Sequence, residues 1–179
     1  RPALSQCPYE WRAGQSPPGT NAQVYSAVTW DPDGAGSQPE LLVIGGSFTA
    51  AGDVPANHVA AWDGQTWHAL GSGTNGAVRA LAVYNGRLVA AGVFTTAGGL
   101  PARYIAAWDG STWAPLGSGM DGSVCSLTVY KDKLIAAGHF TAAGGLECGH
   151  IARWDGGSWY RLSTGMDAVV HTLAVHENT

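Results

Sequence analysis

An all-β chain of stacked four-stranded sheets is the fold class this sequence predicts, and three observations predict it. Trp-Asp-Gly occurs at Trp62-Asp63-Gly64, Trp108-Asp109-Gly110 and Trp154-Asp155-Gly156, an interval of 46 residues each time (108 − 62 and 154 − 108). A second Trp follows at the same offset in every copy: Trp67, Trp113 and Trp159. No stretch of about ten residues carries helical periodicity; each unit divides instead into four short apolar runs separated by turn residues. A fixed period in this range is the mark of a repeat architecture, and four short antiparallel strands per period is the blade pattern of a β-propeller.

The middle unit shows each element. Val78 to Tyr84 is apolar with β-branching and reads as the inner strand, A. Asn85-Gly86 follows, a pair suited to a two-residue hairpin that needs positive φ at both positions. Leu88 to Thr95 is a nearly unbroken apolar run, as expected of a strand B buried on both faces. Thr96 to Pro101 is a small-residue B–C loop, Tyr104 to Trp108 reads as strand C, Asp109-Gly110 turns the chain, and Thr112 to Leu116 reads as strand D. Gly117-Ser118-Gly119 crosses to the next unit; like the same pattern at 71–73, it lacks the following helix that a nucleotide site requires. Phe48, Phe94 and Phe140 recur in register, as do Gly46, Gly92 and Gly138, and Leu70, Leu116 and Leu162. A lone four-stranded sheet leaves both faces bare. Stacking sheets about an axis covers them, with Gly and Ala on the crowded inner strands and paired Trp filling the wider outer space.

These intervals divide the chain into an N-terminal segment (1–23), blade 1 (24–73), blade 2 (74–119), blade 3 (120–165) and the first strand of a further blade (166–179). Trp11 is a candidate outer-strand Trp of a preceding blade, and Val169 to His176 matches strand A. Blade 1 carries eight extra residues in its A–B connection (78 − 24 against 88 − 42), a polar stretch from Asp31 to Glu40 expected to be exposed. Three blades and partial ends do not close a ring. The expectation is a fragment of a larger propeller, or an assembly in which other chains complete the ring. A start at Arg1 without a signal peptide fits a processed or partial form.

Composition narrows the function classes. Charged residues are 12%, and Gly is 26 of 179, which fits many turns and few amphipathic helices. The net charge is −4 and the densest basic pair is Lys131 with Lys133, so no nucleic-acid footprint is expected. No apolar run approaches the ~18 residues of a membrane span. Cys7, Cys125 and Cys148 allow at most one internal disulfide, and the absence of Cys-x-x-Cys argues against a structural zinc site. Low Lys content and the missing initiator Met lean towards an exported, extracellular or cell-surface protein.

The run Phe-Thr-x-Ala-Gly-Gly, then Ile-Ala-x-Trp-Asp-Gly-x-x-Trp-x-x-Leu-Gly-x-Gly, resembles the kelch-like propellers of the galactose-oxidase central-domain type. It is similar to repeats in large secreted or surface proteins of bacteria such as planctomycetes, and in fungal cortical polarity-marker proteins. The resemblance covers 24 to 176, and it implies an extracellular binding or scaffold module. Galactose oxidase holds copper through Tyr and His; no matching ligand motif occurs here, and no catalytic residue is carried over. The WD-repeat family matches less well, since it lacks the second Trp and the Phe-Thr loop.

The recurring Asp63, Asp109 and Asp155 read as turn residues that bond their own backbone. Asp31-x-Asp33 is the nearest approach to a calcium-binding spacing. His58, Tyr104 and His150 share one position, which reads as a packed ring. His139 stands where the other units have Ser47 and Val93, and with Glu147, Cys148 and His150 it matches no common ligand spacing. No metal and no cofactor is expected. Positions that differ between units are the more informative. Arg79, Cys125 and His171 are equivalent near the start of strand A, and Asn57, Arg103 and Gly149 are equivalent at the end of the B–C loop. Propeller geometry places both on one rim, so Arg79, Arg103, His139, His150 and His171 are the candidate binding residues, although surface drift produces the same variation. The expected function is a non-catalytic module that contacts protein or carbohydrate. The alternatives are a secreted enzyme domain, hydrolase or oxidase, with its site on the rim, and a self-assembling structural repeat.

Overall fold

The computed structural model describes residues 19–34 and 36–176, so Cys7, Trp11 and the N-terminal segment they belong to lie outside the described residues. In chain order the first repeat forms β1 (Val24–Trp30), β2 (Leu41–Gly46), the short β3 (Ala50–Ala51) and β4 (Val54–Pro55), β5 (Val59–Trp62) and β6 (Trp67–Ala69). The second forms β7 (Val78–Tyr84), β8 (Arg87–Gly92), β9 (Thr96–Ala97), β10 (Leu100–Pro101), β11 (Ile105–Trp108) and β12 (Trp113–Pro115). The third forms β13 (Val124–Tyr130), β14 (Lys133–Gly138), β15 (Ala142–Ala143), β16 (Leu146–Glu147), β17 (Ile151–Trp154) and β18 (Trp159–Arg161). Three four-stranded antiparallel sheets result: β1-β2-β5-β6, β7-β8-β11-β12 and β13-β14-β17-β18. Among the described residues there is no helix, and therefore none long and apolar enough to cross a membrane.

The sheets pack face to face, and period-two alternation decides which residue faces which neighbour. In the middle sheet, Leu88 and Ala90 enter one core with Val43, Val59 and Trp30 of the first sheet. Val89 and Ala91, one residue on, enter a second core with Val124, Leu134 and Phe140 of the third. β8 is thus buried on both faces, and truncating Leu88 to Ala carries the ~2–5 kcal/mol cost of a closed core site. The strands β1, β7 and β13 lie side by side, with β7 in the middle.

The three Trp pairs share one ring geometry, the first pair half-buried and the other two buried. Ring centroids lie 5.2, 5.4 and 5.2 Å apart in Trp62–Trp67, Trp108–Trp113 and Trp154–Trp159, all in tilted contact. In the second and third sheets the second indole also ties its sheet to the previous one: Trp113 Nε1 donates to the Leu70 carbonyl (2.7 Å) and Trp159 Nε1 to the Leu116 carbonyl (3.0 Å). A buried indole N–H needs such an acceptor. Towards the other end of β1, Trp30 Nε1 donates to the Gly86 carbonyl of the next hairpin at 2.9 Å.

Two departures from the sequence reading have local causes. The B–C connection is a miniature hairpin: β9 pairs with β10, and Gly98 and Gly99 turn between them with φ of 60° and 79°. A Cβ on Gly98 would stand 3.0 Å from the Trp113 Cβ, so the hairpin lies flat on the indole only with glycine there. Strand C starts at Ile105 rather than Tyr104, because Tyr104 is left-handed (φ 66°) and bonds back to the Phe94 carbonyl (3.0 Å). Val169 to His176, read as strand A of a further blade, has no partner strand among the described residues. It repeats a contact of that strand: Leu173 N donates to Ser126 Oγ (3.1 Å) as Leu81 N does to Ser26 Oγ (3.1 Å), and Val170 and Leu173 pack on Ile135, Ala137 and Ile151.

Candidate functional site

The site grows out of a backbone irregularity repeated in all three sheets. The register between the first two strands shifts between Val24 and Ser26, between Val78 and Ala80, and between Val124 and Ser126. The extra residue in each bulge is Tyr25, Arg79 or Cys125. A bulge leaves one residue out of the ladder and re-aims its side chain. Directly opposite is the end of the second strand, followed by Ser47, Val93 or His139, whose amides bond back across the bulge: His139 N donates to the Ser123 carbonyl at 2.8 Å. The chain crossing into each sheet and the miniature hairpin leaving it lie on this same edge, bridged at Thr20–Ala51, Thr74–Ala97 and Met120–Ala143.

In the third sheet the geometry gathers chemistry. Cys125 Sγ and one ring nitrogen each of His139 and His171 all lie within 4.8 Å of one another, with Cys125 half-buried and both His exposed. The two imidazoles meet nearly edge to face, centroids 5.8 Å apart. Arg79 Nη1 makes a long contact, 3.9 Å, to Cys125 Sγ. A thiol and two imidazoles are the donors that borderline and soft transition metals select. Sequence spacing pointed to no metal, because these donors come from a bulge, a strand end and the following repeat.

Of the five residues singled out from sequence, Arg79, His139 and His171 are thus brought together, with Cys125 at their centre. The Arg103 side chain is exposed, and its carbonyl accepts from Met120 N (3.1 Å), bracing the crossing into the third sheet. His150 is left-handed (φ 66°) with its amide on the Phe140 carbonyl; its Nδ1 is buried without a partner, and it stands apart from the cluster. Its counterpart His58 has the same buried, unpaired Nδ1, and burial holds that imidazole below its ordinary pKa.

The repeating aspartates are turn residues. Asp63 accepts from the amides of Gln65 and Thr66 (both 2.7 Å), Asp109 from those of Ser111 and Thr112 (both 2.8 Å), and Asp155 from those of Gly157 and Ser158 (3.0 and 2.9 Å). His68 beside Asp63 (2.7 Å) and then these amides hold the Asp63 carboxyl well below the usual range; for Asp109 the amides of Thr112 and Ser111 do so.

Sequence reasoning missed a second recurring residue. Asn21, Asn75 and Asp121 each brace the miniature hairpin through two backbone amides: Asn75 Oδ1 accepts from Thr95 and Thr96 (2.8 and 2.9 Å), Asp121 Oδ1 from Thr141 and Ala142 (both 2.8 Å). Their recurrence in register was the available signal. Cys148 lies buried below this hairpin, and burial, with the Asp121 charge adding to it, pushes its thiol up to about 11. Along the opposite edge of the sheets, a cleft of about 370 Å³ lined by Tyr84, Asn85, Arg87, Trp154 and Gly156 gathers no comparable group.

No protein-family model matches this chain, and no curated protein matches it. The cluster therefore has to be read from its own chemistry. It offers a sulfur and two nitrogens at a solvent-exposed edge, a neighbouring guanidinium, and no carboxylate.

Proposed function

We propose that the chain is an arc of a β-propeller that serves as a non-catalytic binding and scaffold module of an exported protein, contacting protein or carbohydrate. The observation behind this reading is a constant frame with variable residues at one edge. Tyr25, Arg79 and Cys125 occupy one bulge in successive sheets, and Ser47, Val93 and His139 the position beside it. Tyr25 and Val93 are exposed there (52% and 37%), an apolar content a binding edge can use. The face-to-face packing about neighbouring inner strands, and the resemblance of the repeats to kelch-like propellers, support the arc; closing a ring takes at least ~4 blades. A rigid frame with diversified edge residues is how repeat folds acquire specific surfaces.

The test is a glycan array together with a panel of purified cell-surface proteins, probed with the full chain and with R79E, R103E and R87E. Arg87 sits at the hairpin on the opposite edge and is the control. Binding lost with R79E or R103E and kept with R87E supports the reading. Binding lost only with R87E, or none above background, refutes it.

A further inference from the structure

We propose that Cys125, His139 and His171 form a binding site for one transition-metal ion of the zinc class, through one sulfur and two imidazole nitrogens, with a fourth position open to water or an added ligand. The inference goes beyond the proposed function and does not rest on it, since the donors converge whether or not the edge binds a partner.

Zinc takes Cys and His in tetrahedral sites, at ~2.3 Å for sulfur and ~2.0–2.1 Å for nitrogen, which places ligand atoms about 3.3–3.6 Å from one another. The three donor atoms here lie within 4.8 Å. Closing the remaining gap needs only side-chain rotation of two exposed His and a half-buried Cys, with no shift of the core. Calcium and magnesium are disfavoured, because both want oxygen ligands and the cluster has none.

The bulge presents Cys125 out of the ladder, the His139 amide is fixed to the Ser123 carbonyl (2.8 Å), and Leu173 N is fixed to Ser126 Oγ (3.1 Å). That last bond joins the residue after Cys125 to a position two beyond His171, so one hydrogen bond sets the distance between two ligands. Val170 and Leu173 seat the same segment on the third sheet from the apolar side.

The other repeats are internal controls. The equivalent trio one sheet earlier is Arg79, Val93 and Cys125, and one earlier still Tyr25, Ser47 and Arg79. The first has a single donor and the second has no Cys or His. Only the trio spanning the third repeat and the segment after it has metal-binding types at all three positions. Arg79 is the opposing group: its guanidinium lies against Cys125 Sγ (3.9 Å) and must turn into solvent when an ion binds.

The experiment is titration of the reduced full chain with Zn²⁺ by calorimetry and with Co²⁺ by absorbance. One ion per chain is expected, with a Kd of about 1 μM or tighter and a thiolate-to-cobalt charge-transfer band. C125S removes the band, and H139A and H171A each weaken Zn²⁺ binding at least ~10-fold, all with unchanged far-ultraviolet circular dichroism, since none of the three belongs to the core. C7S, C148S and H150N leave stoichiometry and band intact. Absence of saturable binding below about 100 μM, a band that survives C125S, or a band lost with C7S or C148S overturns the proposal. A negative glycan and protein panel with positive Zn²⁺ titration refutes the partner reading alone, and the converse refutes the metal site alone.

Discussion

At the bulge the second sheet carries Arg79 and the third carries Cys125; beside it stands Val93 in one and His139 in the other. The hairpin after the inner strand is Asn85-Gly86 in the second sheet and Lys131-Asp132 in the third, yet all four residues have positive φ, 50° and 73° against 48° and 57°. The brace of the miniature hairpin is Asn75 in one and Asp121 in the other, with the same pair of amides bound. Two sheets of one architecture therefore accept different chemistry at the same coordinates. The frame is enforced by packing and backbone bonds, so edge positions are released from structural duty, and the third repeat uses that release most fully.

The strongest attempt to break this comparison is removal of the shared indole. W113A and W159A each delete a buried ring and leave a carbonyl of the previous sheet without its donor. Each is expected to cost about 3–5 kcal/mol, and if the frames are equivalent the two losses agree within about 1 kcal/mol. Urea denaturation measures both, and a several-fold difference would show that the sheets are not held alike.

The next effect concerns the hairpins. Lys131 and Asp132 adopt a left-handed conformation that side chains disfavour. Replacing them by Asn-Gly is expected to stabilise the third sheet by about 1 kcal/mol, while G86D in the second sheet costs a similar amount. Thermal denaturation of the two variants reads the opposite signs, and two shifts of the same sign would contradict the equivalence.

A smaller effect separates the braces by pH. Burial works to raise the Asp121 carboxyl, but the Thr141 hydroxyl and the Ala142 and Thr141 amides outweigh it and leave the group below its ordinary value. A depressed folded-state pKa contributes stability that is present above the unfolded value of ~3.9 and is lost as pH falls through the folded one. The wild type should thus lose more stability than D121N between about pH 4 and 2, by under about 1 kcal/mol at so exposed a position. N75D should add the same acid sensitivity to the second sheet, and equal acid profiles for all three proteins would remove the distinction.

The smallest effects lie at the cluster. R79A is expected to tighten Zn²⁺ binding by up to about fivefold, the loss of a like charge ~4 Å away in water, read by the same calorimetry. Thiol reagents at neutral pH should modify Cys125 while sparing Cys148, whose thiol is raised to about 11 in the core. Peptide mapping after labelling decides it, and modification of Cys148 first would mean the third sheet is looser than its packing shows.

Much of the frame was legible beforehand. The interval of Trp108 and Trp154 located the sheets, Asn85-Gly86 located a hairpin, and Val78 to Tyr84 is the inner strand residue for residue. The B–C connection was not, because Thr96-Ala97 and Leu100-Pro101 are too short to show a strand pattern and pair only when laid on Trp113. The cluster was half legible: Arg79, His139 and His171 stood out as variable positions, whereas their convergence on Cys125 and the separation of His150 from it did not. Left-handed φ at Tyr104 and its equivalents has no reliable signature in Tyr or His.

What the amino-acid order determined alone is whatever depends on neighbours along the chain: the repeat, the unbroken apolar run of Leu88 to Ala91 that is buried on both faces, the Asp-Gly turns and the absence of helix among the described residues. Tertiary structure decided the rest. A bulge shows itself only when a strand is paired, since the surplus residue exists relative to a partner. Cys125, His139 and His171 meet because pairing, bulge and stacking together bring three distant parts of the chain to one edge, and spacing along a sequence carries no measure of that distance.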